Sequence, residues 1–176
     1  QYQVKKAAGR IATAVADALS PEAVCELLPR ACRTLGHAAV ITQKLIGRAS
    51  GDIATLPQFQ QFHNWDLGLL QEVLKAPGYS QRTYYLLLAA AKWVQHAWDS
   101  RHRLWQAELM PLIDFQCLTA ANLKDFHKNH VDFLKLEGLG NALFGRACSK
   151  LMQERDYPND GYGYGDDSDD SSSEED

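Results

Sequence analysis

The stretch from residue 81 to residue 110 constrains the fold most, because no proline interrupts it and its middle is apolar throughout. Residues 84–91 are apolar on every side of a helix, and the apolar positions then narrow to a stripe that includes Trp93, Val94 and Leu109. A helix that is apolar all round for two turns belongs in the interior of a domain. The sequence therefore predicts one long central helix with other helices around it.

Helical periodicity continues on both sides of this stretch. Residues 4–19 place Val4, Ile11 and Val15 on one face of a first amphipathic helix. No segment alternates strongly with a period of two residues, which argues against a sheet. With 45% hydrophobic residues available for a core, residues 1–158 are predicted to form one all-α, helical-bundle-like domain of about six helices.

Several residues mark where the predicted helices begin, bend or end. Ser20 can cap a second helix, and Asp66 and Thr119 can cap two later ones. Pro29 predicts a kink or a restart in the second helix, because proline lacks the N–H that a helix interior needs. The apolar face of the last helix, which is expected to point inward, consists of Leu143, Phe144, Ala147, Leu151 and Met152.

The end of the chain, residues 159–176, has a different composition. It carries eight carboxylates and no Lys or Arg, and no aliphatic residue follows Met152. Such a segment cannot bury enough surface to offset the entropy lost on ordering, so a disordered acidic tail is predicted. Residues 1–158 then hold 18 basic against 14 acidic side chains, a net charge of +4.

Three serines in this tail are candidates for phosphorylation. Ser171, Ser172 and Ser173 each have an acidic residue three positions later, the context that an acidophilic serine kinase favours. Each phosphate would add about −1.5 to −2 charges. The sequence leaves two roles for the tail open: a regulatory polyanion, or a segment that only keeps the protein soluble.

No motif in the chain predicts catalysis. A nucleophile elbow and a phosphate-binding glycine loop are both missing, and the four cysteines follow no CxxC spacing. His127 and His130 lie one helical turn apart and are weak candidates for metal ligands, because a zinc site needs a third and usually a fourth ligand. The chain is therefore predicted to be no enzyme and to use no cofactor.

The aromatic content favours an interaction domain instead. Trp and Tyr residues left exposed by a monomer tend to anchor interfaces. The main hypothesis is accordingly a domain that associates with itself or with another helical protein. The aromatic residues that exceed what a small core needs, and that are predicted to bind the partner, are Phe59, Phe62, Trp65, Trp98 and Trp105.

The basic residues support a rival hypothesis, a nucleic-acid-binding module that its own acidic tail inhibits. Cations next to aromatic rings can neutralise phosphates and stack on bases. A net charge of +4 is weak for that function. The residues predicted to contact nucleic acid are Lys5, Lys6, Arg10, Arg101 and Arg103.

The expected location is intracellular, either cytoplasmic or nuclear. No run of apolar residues reaches the roughly 18 to 20 that a membrane span requires. No signal peptide opens the sequence, and residue 1 is Gln. No membrane partner is therefore expected.

Three short segments resemble part of a known protein family. The segments LGHAAVITQKLIGR, RHRLW and ALFGRACSKLMQER cover about 33 of the 176 positions. They are similar to the helical gag-like region of DIRS-type (tyrosine-recombinase) retrotransposons, and a related region occurs in a host protein associated with the nuclear lamina. The resemblance implies a non-enzymatic, self-associating structural protein.

Overall fold

The computed structural model describes residues 2–76 and 82–155, and this part of the chain is helical throughout, with no strand. The predicted all-α class is therefore confirmed. The predicted acidic tail, with its three serines, lies outside the described residues. The α-helices are α1 (Tyr2–Ala18), α2 (Pro21–Leu35), α3 (Val40–Gly51), α4 (Gln60–His63), α5 (Leu67–Lys75), α6 (Thr83–His96), α7 (Trp98–Leu104), α8 (Ala120–Asn129) and α9 (Leu139–Arg155).

Short 3₁₀ and π-helical turns connect several of these elements. One π-helical turn, Trp105–Leu109, directly follows α7. The 3₁₀ turns in the described part are Leu56–Gln58, Met110–Leu112, Phe115–Cys117 and Val131–Lys135.

The predicted central helix is divided in two by Ala97. That residue leaves the helical conformation, at φ −134° and ψ 58°, and its N–H bonds to the carbonyl of Val94 rather than to that of Trp93. The carbonyl of Trp93 accepts a hydrogen bond of 2.8 Å from the guanidinium of Arg101 instead. The break is thus stabilised by a side chain from the next helix, which helix propensity alone does not reveal.

The helix does not restart at Pro29, since α2 runs as one helix from Pro21 to Leu35. Because Pro29 has no N–H, the carbonyl of Cys25, four residues earlier, loses its helical partner. The indole N–H of Trp65 donates to that carbonyl at 3.1 Å, in the interior of the protein. A tryptophan from another segment therefore takes the place of the missing backbone donor.

Two further tryptophans connect core elements in the same way. The Trp93 indole donates to the carbonyl of Trp65 at 3.0 Å, and the Trp105 indole donates to the carbonyl of Glu137 at 3.1 Å. A buried indole N–H is costly unless it is hydrogen-bonded. Together with the bond from Trp65 to Cys25, these two bonds connect α2, α6 and the chain before α9 through three indole rings.

The core corrects part of the aromatic prediction. Phe62, Trp65 and Trp105 are at most 1% exposed and pack among leucines such as Leu28 and Leu70. They are structural residues that no partner can reach in this fold. The count of aromatic residues did not predict this, because which rings enter the core depends on how the helices of the described residues pack together.

Candidate interaction surface

The first three helices expose an unusual number of large apolar side chains. α1 and α2 both pack on α3. α1 meets α3 through small residues, since Ala12 and Ala16 are its buried positions. The exposed apolar residues on these helices are Val4, Ile11 and Val15 on α1, Leu27 and Leu35 on α2, and Val40 at the start of α3.

The apolar stripe of α1 points to solvent rather than to the core. Val4 is 72% exposed and Ile11 is 65% exposed. The amphipathic pattern predicted this helix correctly, but the helix docks through the alanines beside the stripe. The spacing of Val4, Ala8, Ile11 and Val15 alternates between four and three residues, which is typical of a seam that contacts another helix.

A groove continues this exposed face between the three helices. We call it the three-helix groove, and its volume is about 320 Å³. Apart from Arg30 and Thr34, its walls are apolar. The side chains that line it are Val15, Leu19, Leu27, Arg30, Ala31, Thr34, Leu35, Ile41 and Leu45.

Another side of α1 carries cations. Lys5, Lys6 and Arg10 are exposed on α1 and form no ion pair with any described residue. On the neighbouring helices, Arg30 pairs with Glu26 at 3.0 Å and Arg48 pairs with Asp52 at 2.6 Å. The predicted basic cluster of α1 is thus available to an anionic ligand.

Arg101, which was also predicted to contact nucleic acid, differs from the cations of α1, because its side chain is hydrogen-bonded within the fold. Its guanidinium lies 3.8 Å from the ring centre of Trp93 and donates to the carbonyls of Trp93 and His63, both at 2.8 Å. Burial lowers the pKa of Arg101. The prediction that Arg101 contacts nucleic acid is corrected on this ground, whereas Arg103 is exposed.

The remaining two aromatic candidates lie at the edge of the core. Phe59 and Trp98 are half-buried and pack against core residues. The ring of Trp98 stacks on His102, and the ammonium of Lys135 lies 4.7 Å from its centre. The Trp98 ring therefore already contacts core residues, the His102 ring and the Lys135 ammonium group.

A second exposed apolar feature lies on α9. Phe144, Leu151 and Met152 are 72%, 62% and 66% exposed, and we call them the α9 ridge. The prediction that they point inward is wrong. α9 instead docks through Leu139, Leu143 and Arg146, whose guanidinium donates to the carbonyl of Leu118 at 3.1 Å. Arg146 is thus buried, although the predicted inward face of this helix does not include it.

The two histidines predicted as weak metal ligands are not brought together with others. His127 is exposed, whereas His130 is half-buried and stacks on Phe133. The carboxylate of Asp125 lies 3.9 Å from His130 and accepts a hydrogen bond from the Tyr84 hydroxyl, which lowers the pKa of Asp125. Within residues 2–76 and 82–155, no cluster of three or more His, Cys, Asp or Glu could hold a metal ion.

Three of the cysteines, Cys25, Cys32 and Cys117, are poor nucleophiles in this fold. Burial raises the pKa of the Cys25 thiol to about 12 and also raises the pKa of Cys32. A hydrogen bond to Asp114 raises the pKa of Cys117. Because the thiolate is the reactive form, these three residues are inert at neutral pH.

Comparison with protein-family models, with curated proteins and with solved structures finds no match. Among the described helices, none combines the length and the apolar character that crossing a bilayer requires. The surface features are therefore the observations on which a function can be argued.

Proposed function

We propose that this chain is a non-enzymatic helical domain that associates with itself or with another helical protein through the exposed face of α1, α2 and α3. The acidic tail regulates that association through its charge, and Ser171, Ser172 and Ser173 are its candidate phosphorylation sites. We further propose that the protein acts inside the cell, in the cytoplasm or nucleus.

The observation that carries the proposal is the exposed apolar stripe of α1 together with the three-helix groove. Large contiguous apolar patches are rare on monomers and mark interaction sites. A groove between helices with an apolar stripe beside it fits the helix-in-groove mode, in which an amphipathic helix lays its apolar face into a hydrophobic cleft. The inert thiols of Cys25, Cys32 and Cys117 agree with a role that requires no catalysis.

The tail is proposed to act on the cations of α1. Lys5, Lys6 and Arg10 are exposed on the same helix as the apolar stripe, on another side of that helix, and the tail supplies eight carboxylates. Opposite charges on separate segments attract each other within a Debye length of about 8 to 10 Å. Phosphorylation would increase the negative charge and therefore the strength of this attraction.

The test is the replacement of Val15 by Asp, with Val131→Asp as the matched control. Both valines are 47% exposed, but only Val15 lies on the proposed face. Light scattering over a range of concentrations should show that Val15→Asp weakens association at least about tenfold, the loss expected when a charge enters an apolar interface. Val131→Asp should associate like the wild type. A wild-type protein that stays monomeric and recovers no helical partner would refute the proposal.

The rival function, nucleic-acid binding under inhibition by the tail, keeps one supporting observation, the unpaired cations Lys5, Lys6 and Arg10. A filter-binding titration should compare the full chain with a version that ends at Pro158. If removing the tail creates affinity that falls steeply with salt, the rival is supported. If it creates none, the rival is excluded.

A further inference from the structure

Two apolar features remain open on the described surface. The three-helix groove is concave and lies between α1, α2 and α3. The α9 ridge consists of exposed side chains on a helix that packs on α8 and on the turns Phe115–Cys117 and Val131–Lys135. Neither feature is covered by any residue that the structure describes.

The groove is large enough for the side chains of the ridge. A cavity of about 150 Å³ can bind a benzene-sized ring, and the groove has about 320 Å³. It can therefore take a ring such as that of Phe144 and one further apolar group. Phe144 and Leu151 are seven residues apart, so they project from the same side of α9 two turns apart.

The acidic tail of the same chain is a poor occupant for an apolar groove. No Leu, Ile, Val, Met, Phe or Trp follows Met152, so three tyrosines, each with a polar hydroxyl, are its only large apolar side chains. The ridge of the same molecule is held elsewhere, because Leu139, Leu143 and Arg146 anchor α9 in the core. The occupant with the right chemistry is the ridge of a second copy.

Charge favours the same arrangement. α9 leads directly into residues 156–176, which carry nine carboxylates and no cation. The groove has Arg30 in its wall and Lys5, Lys6 and Arg10 on the adjacent helix. A second copy that seats its ridge in the groove delivers its acidic tail to the vicinity of these cations.

We propose that the chain assembles head to tail: the α9 ridge of one copy docks in the three-helix groove of the next, and the acidic tail that follows α9 lies against the basic residues of α1 and α2. This inference rests on the proposed function and names its partner and geometry. Because the two contacting surfaces differ, an open assembly keeps one free groove at one end and one free ridge at the other until a ring closes. Assembly beyond a dimer is therefore expected.

The experiment mixes two variants that are each defective on one side. Val15→Asp damages the groove and Phe144→Asp damages the ridge, and both replace exposed side chains, so circular dichroism should show unchanged helix content. Each variant alone should associate at least tenfold more weakly than the wild type. An equimolar mixture should recover the wild-type affinity, because the intact ridge of one variant meets the intact groove of the other. The mixture should stop at two copies.

The outcomes separate this inference from the proposed function. If Val15→Asp dissociates the protein but Phe144→Asp does not, the helical face still mediates association and only the ridge is wrong. If both variants dissociate and the mixture does not recover, ridge and groove are not partners and the inference fails. If neither variant differs from the Val131→Asp control, both the inference and the proposed function fail.

Discussion

At the scale of single residues, side chains donate hydrogen bonds to two backbone carbonyls that lack their usual helical donors. The carbonyl of Cys25 loses its helical donor to Pro29 and receives the Trp65 indole N–H. The carbonyl of Trp93 loses its helical donor at Ala97 and receives Arg101. In both cases a buried acceptor would otherwise stay unpaired, at a cost of about 1–3 kcal/mol.

The first of these pairs can be tested by a double-mutant cycle. Trp65→Phe should lower the free energy of unfolding by at least about 1–3 kcal/mol, because it leaves the Cys25 carbonyl without a donor. In a Pro29→Ala background the backbone N–H of residue 29 can bond to that carbonyl, so the cost of Trp65→Phe should be smaller. Urea denaturation of the four proteins measures the difference. Equal costs in both backgrounds would show that only the lost ring volume matters.

His63 should make the protein sensitive to acid. Its pKa is lowered by burial and by the neighbouring His96 and Arg101, and its Nδ1 is buried without a hydrogen-bond partner. The unfolded chain therefore binds the proton more tightly than the folded one. Stability is fully present above about pH 6.5, the usual pKa of histidine, and falls as the pH drops below it.

Replacement of His63 by Gln tests this expectation. The free energy of unfolding, measured between pH 7.5 and 5, should fall less steeply for His63→Gln than for the wild type. His127→Gln is the matched control, because His127 is exposed, and should keep the wild-type slope. Parallel slopes for the wild type and both variants would contradict the assignment to His63.

At the scale of helices, local signals predicted starts well and packing faces poorly. Ser20, Asp66 and Thr119 were predicted as caps, and each side chain accepts from the backbone N–H three residues on. Such bonds depend only on neighbouring residues. The break at Ala97 was not predicted, because it depends on a hydrogen bond from the Arg101 side chain to the carbonyl of Trp93, eight residues earlier.

The faces of α1 and α9 could not be predicted for a different reason. An apolar stripe indicates that a helix is covered on one side, but not whether its own chain or a partner covers it. α1 docks through alanines and α9 docks with a buried arginine. In both helices several large apolar side chains remain exposed, among them Ile11 on α1 and Phe144 on α9. The sequence thus contained the apolar stripe of α1, at a spacing of four and three residues, without revealing that the stripe is exposed.

Two glycines near the start of α9 should respond in opposite ways to alanine. Gly138 has a φ of 78°, and a Cβ there would lie 3.3 Å from the Met110 sulfur, so Gly138→Ala should destabilise the fold by about 1–2 kcal/mol. Gly140 lies within α9 and a Cβ there would meet nothing within 4 Å, so Gly140→Ala should be neutral or stabilise by up to about 1 kcal/mol. Thermal unfolding of the two variants tests this, and an equal loss in both would contradict it.

At the scale of the whole molecule, the fold class was predictable from the sequence, but the division of side chains between core and surface was not. All-α structure followed from periodicity along the chain, which is local information. Which aromatic rings enter the core depends on how the helices meet, and Phe62, Trp65 and Trp105 proved to be interior. The basic residues of α1, Lys5, Lys6 and Arg10, are exposed, as the amphipathic pattern of that helix predicts.

The charge of the tail sets the direction of the last prediction. If the tail of one copy lies against Lys5, Lys6 and Arg10 of the next, removing the residues after Pro158 should weaken association by an amount that grows as the salt concentration falls. Salt should weaken the full chain more than the truncated one, because exposed charge pairs are screened beyond about 10 Å at 0.1 M. Light scattering of both proteins over a series of salt concentrations measures the two slopes. Truncation that strengthens association would instead mean that each tail covers the cations of its own molecule, and phosphorylation would then separate the copies rather than join them.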